Sequence, residues 1–215
     1  MKVLCISASN IMNKAFDDST SIKLCKLIIE CLSKEHYLGK IIDLRTCNLQ
    51  PCVGCGKCFE THRCVFDETF NCIYENIIKS NIIFIVSPHY APIPAKLCML
   101  LEKMEQITFL HWAKDTNYKS EVYGISTGVI SHGGGSDWAL SSYKAMVNDT
   151  IANALDTIQL KLIPYSKEWN TGISIPVANV VNEIDDIFPQ QEYDWEKIRD
   201  KIVKYVSKVI KLQQV

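Results

Sequence analysis

"IIFIVSPHYAPIPAKL" occupies residues 82–97, and its first five positions decide the fold. "IIFIV" is an unbroken apolar run with no polar alternation. An alternating strand keeps one face in water, whereas a continuous one is buried on both faces, as in a parallel sheet covered by helices on each side. Four more short runs share its β-branched character: "KVLCI" (2–6), "KIIDL" (40–44), "VYGIST" (122–127) and "IQLKLI" (158–163). Between them the apolar residues recur at helical spacing. Ile22, Cys25, Ile29 and Leu32 form one stripe, Phe70, Ile73 and Ile77 a second, and Leu97, Leu101 and Met104 a third. Tyr143, Met146, Thr150 and Ala154 make a fourth; Trp195, Ile198, Ile202, Tyr205 and Val209 make the last. Stripes of this kind face a core.

Strands and helices in strict alternation predict an α/β fold with helices on both faces of the sheet. Five such units suit a flavodoxin-like, doubly wound, five-stranded parallel sheet in the order 2-1-3-4-5, whose ligand crevice lies beyond the carboxyl ends of the strands. The chain is expected to form a single domain over residues 1–215, with a cysteine-rich loop at 47–64. Pro164, Pro176 and Pro189 punctuate an irregular arm at 164–191, with a strand expected near 173–181. Trp169, Ile173, Ile175 and Val177 make that arm too apolar to be simply solvated, so it is expected to cover a partner subunit.

Basic and acidic residues nearly cancel, 23 against 24, and no stretch carries a block of one sign. That leaves no footprint for nucleic acid or an anionic membrane. No apolar run approaches the roughly 20 residues of a membrane span, and the opening "KVLCIS" reads as a strand, so a cytoplasmic setting is expected. There the ten cysteines stay out of disulfides. Cys5, Cys25, Cys31, Cys72 and Cys98 lie in periodic apolar segments and are expected as small buried hydrophobes. Cys47 is undecided.

Every unusual loop follows a strand, so all should gather at one edge of the sheet. After the first comes "SASNIMNKAFDDSTSIKL" (7–24), where Ser7, Ser9, Ser19, Thr20 and Ser21 crowd a helix start. Backbone N–H groups, the helix dipole and hydroxyl donors there suit a phosphate monoester; the alternative is N-capping by Asp18 or Ser19. Neither G-x-x-x-x-G-K-[ST] nor G-x-G-x-x-G is present, which disfavours a triphosphatase and a dinucleotide Rossmann site. After the third strand, "SPHYAPIPAKL" (87–97) is stiffened by prolines, and Pro88, His89 and Tyr90 offer a rigid wall for an aromatic ligand. After the fourth, "STGVISHGGGSDW" (126–138) carries consecutive glycines that let backbone amides approach the polar edge of a ring. His132 in that loop reads as a solvent-facing side chain.

"PCVGCGKCFETHRC" (51–64) carries the remaining chemistry. Cys52, Cys55, Cys58 and Cys64 are spaced C-x2-C-x2-C-x5-C. Structural zinc usually takes two C-x2-C pairs across a longer loop, while three cysteines at every third position resemble compact iron–sulfur runs. Gly54 and Gly56 would let the backbone wrap an inorganic core. A [4Fe–4S] cluster, a zinc ion and four free thiols all remain open. Because the run follows the second strand, it is expected at the same edge as the crevice.

The chain resembles the flavodoxin-like NAD(P)H-dependent FMN reductases and, within them, the iron–sulfur flavoproteins, from residue 2 to about 160. Ser7-Ala8-Ser9-Asn10 and Ser19-Thr20-Ser21 match the family's first loop. Ser87-Pro88-His89-Tyr90 with Ala95-Lys96-Leu97 match its S-P-x-Y loop, and Thr127-Gly128 with Gly133-Gly134-Gly135 match its glycine-rich fourth loop. The cysteine run matches the family's compact [4Fe–4S] motif. Asn10 stands where the family has proline, no arginine follows it, and Ala91 replaces a bulkier residue or glycine; Lys14 would restore the missing charge. The resemblance implies FMN as cofactor, NAD(P)H as reductant, a small-molecule electron acceptor or redox protein as partner, and a homodimer or tetramer. It places phosphate on Ser9, Ser19, Thr20 and Ser21, the ring against Pro88, His89 and Tyr90, and the ring's polar edge on Thr127, Gly128, Gly134 and Gly135. The flavin performs the chemistry, so no catalytic acid or base is expected. The rival functions are an electron-transfer flavoprotein without a small-molecule substrate and a zinc-stabilised binding module.

Overall fold

The computed structural model describes residues 1–11, 16–33, 37–181 and 190–213. In chain order it contains β1 (Lys2–Ser7), α1 (Thr20–Ser33), β2 (Leu38–Asp43), α2 (Cys58–Thr61), α3 (Glu68–Ile78), β3 (Ile82–Pro88) and α4 (Ala95–Trp112). Then follow β4 (Ser126–His132), α5 (Leu140–Tyr143), α6 (Asp149–Ile158), β5 (Lys161–Leu162), β6 (Ile173–Ile175), β7 (Asn179–Val181), β8 (Gln190–Glu192) and α7 (Trp195–Gln213).

The main sheet is parallel and runs β2-β1-β3-β4, with a divided fifth position. There β5 pairs with Ser126 and Thr127 at the start of β4, and β6 pairs with Ile130–His132 at its end. The expected order 2-1-3-4-5 holds, with the last strand supplied in two pieces.

All seven residues of β3 are buried, as the unbroken run requires. Its side chains divide by parity between two cores. Ile83 and Ile85 join Leu4, Ile6 and the inner faces of α3, α4 and α6, while Ile82, Phe84 and Val86 join Val3, Cys5, α1 and α7. The period of two along a strand thus builds both helix layers at once. The fold is flavodoxin-like, doubly wound, with helices on both faces.

Four expectations need correction. The fourth strand is Ser126–His132, not 122–127; residues 121–124 turn, and Val122 is buried from that turn. The stripe Tyr143, Met146, Thr150 and Ala154 is out of phase after its first member. A π turn at Lys144–Asn148 inserts one residue, so Val147, Ile151, Leu155 and Ile158 face the core while Met146 is 44% exposed. Cys5 and Cys25 are buried as expected, but Cys72 and Cys98 are exposed on the outer sides of α3 and α4. Finally, the apolar residues of the arm are consumed internally: Ile173, Ile175 and Val177 are buried within the chain. Trp169 lies 5.4 Å from the Lys201 ammonium. Pro189, the arm's last proline, lies outside the described residues.

The arm re-enters the sheet at Gly172, whose φ is +120°. A Cβ there would sit 2.1 Å from the Val129 carbonyl oxygen, a distance no side chain tolerates. Replacement of Gly172 by Ala should therefore destabilise the protein by about 2 kcal/mol or more, measured by urea unfolding. An unchanged midpoint would show that β6 docks without that close approach.

Candidate functional site

Because the strands of the main sheet are parallel, the turns after β1, β3 and β4 meet at one edge, where they enclose a cleft of about 230 Å³. Ser9, Ile11, Ser19 and Thr20 line it from the first loop, Pro88, His89 and Tyr90 from the second, and His132, Gly133 and Gly134 from the third. Gln191, from β8, closes the remaining side. No carboxylate, lysine or arginine is among these lining residues. Among the described residues, the cleft therefore presents neutral donors and rings.

The first loop ends on the amino terminus of α1. Ser19 is 3% exposed, and its Oγ lacks a hydrogen-bond partner among the described residues. Leaving a buried hydroxyl unpaired costs on the order of 1–3 kcal/mol, which a ligand oxygen would recover. Orphan N–H groups and the positive dipole end of the helix add to that preference for an anion. The Ile11 N–H approaches Ser9 Oγ at 3.4 Å. Beneath the loop, Arg45 is buried against Asp43 at 2.8 Å and donates through Nη1 to the Ile11 carbonyl at 3.0 Å. The guanidinium braces the loop while Asp43 neutralises its charge. Lys14 lies outside the described residues.

The second wall follows β3 directly. His89 donates its backbone N–H to the His132 carbonyl at 2.9 Å, tying the second loop to the third. Its ring Nε2 is buried with no partner. Tyr90 is 38% exposed, and burial of the remainder pushes its phenol upward.

Several expected ligand residues lie elsewhere. Thr127 and Gly128 sit at the amino end of β4, inside the sheet, where a Cβ on Gly128 would meet the Phe84 ring at 2.6 Å. The later start of the strand moves the loop to Gly133 and leaves both residues in the core. Gly135 is turned from the cleft: its N–H donates to Tyr143 Oη at 2.5 Å and its carbonyl accepts from Val177. Ser21 is fully buried beneath the cleft, with Oγ 2.7 Å from His132 Nε2. His132 is correspondingly 6% exposed rather than solvent-facing. Thr20 lines the cleft, as expected, beside the Tyr193 phenol.

The four cysteines gather at a separate place. Cys52, Cys55, Cys58 and Cys64 all line one cavity of about 30 Å³, walled on the other side by Lys103, Gln106 and Ile107 of α4. At a helical rise of about 1.5 Å per residue, that wall lies roughly 12–18 Å along α4 from Ala95. The run is therefore displaced from the cleft edge, carried down the α3–α4 face by residues 47–57. Burial pushes the Cys58 thiol up, and the neighbouring Cys52, Cys55 and Cys64 push it further. Gly54 and Gly56, at φ +64° and +69°, take left-handed conformations that favour glycine. The donor set suits a soft metal centre. Among the described residues, no group of three or more His, Cys, Asp or Glu is placed to hold a metal ion.

The base of this loop is closed by a buried hub. Asp67 Oδ2 accepts from the Gln50 N–H at 2.9 Å, and Oδ1 caps α3 by accepting from the Phe70 N–H at 2.9 Å. The Lys103 ammonium donates to both Asp67 and the Gln50 carbonyl. The Lys103 and Asp67 side chains are 3% and 2% exposed.

No protein-family model matches the chain, and no curated protein matches it in sequence. Solved structures do. FerB, a flavoenzyme NAD(P)H:(acceptor) oxidoreductase from Paracoccus denitrificans, is similar with a TM-score of 0.61 at 14% identity, over 99% of this chain and 97% of that one. RosB with bound 8-demethyl-8-formylriboflavin-5′-phosphate gives 0.61 at 12%, over 100% and 79%. A Fusobacterium nucleatum flavodoxin bound to flavin mononucleotide gives 0.53 at 10%, over 98% of each chain. At such identities the likeness establishes the flavodoxin-like fold. Among the described residues, no helix is long and apolar enough to cross a membrane.

The hub carries a pH signature. Burial alone would raise the Asp67 carboxyl, but the Lys103 ammonium and the Gln50 and Phe70 N–H groups outweigh it and hold it below its usual range. Its contribution to stability is thus complete above the ordinary carboxylate pKa and is lost as pH falls through the lower folded-state value. Substituting Asp67 by Asn should cost about 3 kcal/mol at neutral pH, with the difference from wild type closing in acid. Urea unfolding at neutral and acid pH checks this; a gap that persists in acid would mean the carboxylate charge is not its source.

Proposed function

We propose that this protein is an FMN-dependent oxidoreductase that takes electrons from NAD(P)H and delivers them to a small-molecule acceptor or a redox protein. One observation carries the reading: the unpartnered, buried Ser19 hydroxyl faces a cleft at the amino terminus of α1. The positions around it suit a flavin monophosphate. Ser9, Ser19 and the backbone N–H groups of the first turn of α1 hold the phosphate. Pro88, His89 and Tyr90 wall the ring, and the Gly133–Gly134 backbone meets its polar edge. When bound, FMN supplies acceptance of a hydride and onward transfer of electrons; the chain binds it, orients it and shields it from water. Two of the fold neighbours were solved with a flavin phosphate bound, and the third is named an NAD(P)H:(acceptor) oxidoreductase.

The iron–sulfur part of the reading rests on the four thiols that share one cavity. Cys52, Cys55, Cys58 and Cys64 would ligate a [4Fe–4S] cluster once the loop opens around it. Self-association belongs to the same proposal, in a cytoplasmic setting. With the arm's apolar residues used internally, its support moves to Trp138, which is 78% exposed beside the glycine loop.

Purified or reconstituted protein should show a flavin absorbance spectrum, bind FMN at micromolar concentration and be reduced by NADPH. Ser9→Glu, which sets a carboxylate against the phosphate, should weaken FMN binding by at least about tenfold. No uptake of FMN would sink the flavin reading. Anaerobic reconstitution should incorporate about four iron and four sulfide per chain, lost in Cys55→Ala; absence of iron uptake would leave four thiols. Light scattering should give a dimer mass, shifted to monomer by Trp138→Glu, and a monomeric wild type would remove the self-association.

A further inference from the structure

Gln191 reaches the cleft from a part of the chain that follows none of the three cleft-forming strands. It lies in β8, which pairs antiparallel with β7 and is seated against the glycine loop. Ala178 N–H donates to the Glu192 carbonyl at 2.8 Å, and Val177 N–H donates to the Gly135 carbonyl at 3.1 Å. These bonds fix the β8 backbone relative to Gly133 and Gly134.

The side chain is fixed as well. Tyr193 Oη donates to Gln191 Oε1 at 2.9 Å and lies 3.3 Å from the Gly133 carbonyl. The Thr20 side chain lies beside the same phenol. Burial pushes that phenol up to about 12, so it keeps its proton at physiological pH and remains a donor. A carboxamide whose oxygen is held by the phenol turns its N–H2 group, with two donors, away from that phenol. Those sit beside Gly134, where a Cβ would come 3.1 Å from Gln191 Nε2. Gly134 thus leaves the space that the amide occupies. Tyr193 thus links the Gln191 amide to the start of α1, where Thr20 stands beside its phenol.

We propose that Gln191 is a ligand-reading residue of the cleft, its side-chain N–H2 held by Tyr193 toward an acceptor oxygen on the polar edge of the bound flavin ring. Tyr193 is its positioning residue. The assignment rests on the flavin reading above and adds to it a donor that the three sheet loops do not supply. Negative charge builds on the carbonyl edge of the ring when it is reduced, so a fixed donor there favours the reduced ring. Gln191 therefore acts on affinity and on potential together, which a residue that merely packs would not do.

The test uses the full-length protein and FMN itself, with the dissociation constant read by fluorescence and the flavin midpoint potential by redox titration. Gln191→Ala should weaken FMN binding about tenfold and make the potential more negative. Gln191→Glu, which replaces the donor by a carboxylate, should do both more strongly. Gly134→Ala should move affinity in the same direction by displacing the amide, and its backbone there is outside the left-handed region, so folding is preserved. In a Tyr193→Phe background, Gln191→Ala should cost less than in wild type, since the amide is no longer held. Wild type that takes up no FMN overturns the flavin reading and this assignment with it. Wild type that binds FMN while both Gln191 variants match it in affinity and potential overturns this assignment alone.

Discussion

The structure depends on the double burial of β3. A strand with no wet face has to be covered twice, and the alternation of its side chains sends Ile83 and Ile85 into one core and Phe84 and Val86 into the other. Covering both faces of a sheet with helices that connect successive strands forces those strands to run parallel. Parallel strands end together, so three loops far apart in sequence face one another across a cleft of about 230 Å³. The cleft is a consequence of that burial rather than a separate invention.

Among the described residues, two buried ion pairs, Asp43–Arg45 and Asp67–Lys103, each stand at the base of a loop. Arg45 holds up the first loop through the Ile11 carbonyl; Lys103 and Asp67 close the cysteine loop at Gln50. A buried pair gives little net stability, because desolvation consumes most of the attraction, but losing one partner strands the other at high cost. Such pairs suit a role in fixing geometry. Among the described residues, the cleft presents hydroxyls, histidines, amides and a helix terminus, groups that carry partial charges without the desolvation penalty of a full ion.

The cysteine site and the cleft are therefore two stations on one scaffold. The cleft sits at the carboxyl edge, and the thiols lie partway down α4 on the face covered by α3 and α4. Around the thiols, Val53 and Phe66 are 68% and 60% exposed. The cysteine loop is held at its base by Asp67 and Lys103 and exposes these apolar side chains at its rim.

What the residues determined alone was the part governed by local periodicity: the five sheet positions, four of the five helix stripes, and the loops that would carry Ser9, Ser19, Tyr90 and Gly134 to one edge. Short-range pattern reports which face a residue presents, and in a doubly wound sheet that is nearly enough to place the loops. It failed where a single residue shifts the phase. The π turn at 144–148 rotated the stripe ahead of α6, and the late start of β4 withdrew Thr127 and Gly128 into the core. Tertiary structure alone decided the rest. Nothing local marks Gln191 or Tyr193 as cleft residues, because β8 arrives there only through its bonds to β7 and Thr20 meets Tyr193 across the fold. The arm's isoleucines looked like an interface because their apolarity is visible in sequence, whereas their partner, the free side of β4, is not. Hydrophobic pattern states that a surface must be covered; only the packed chain states by what.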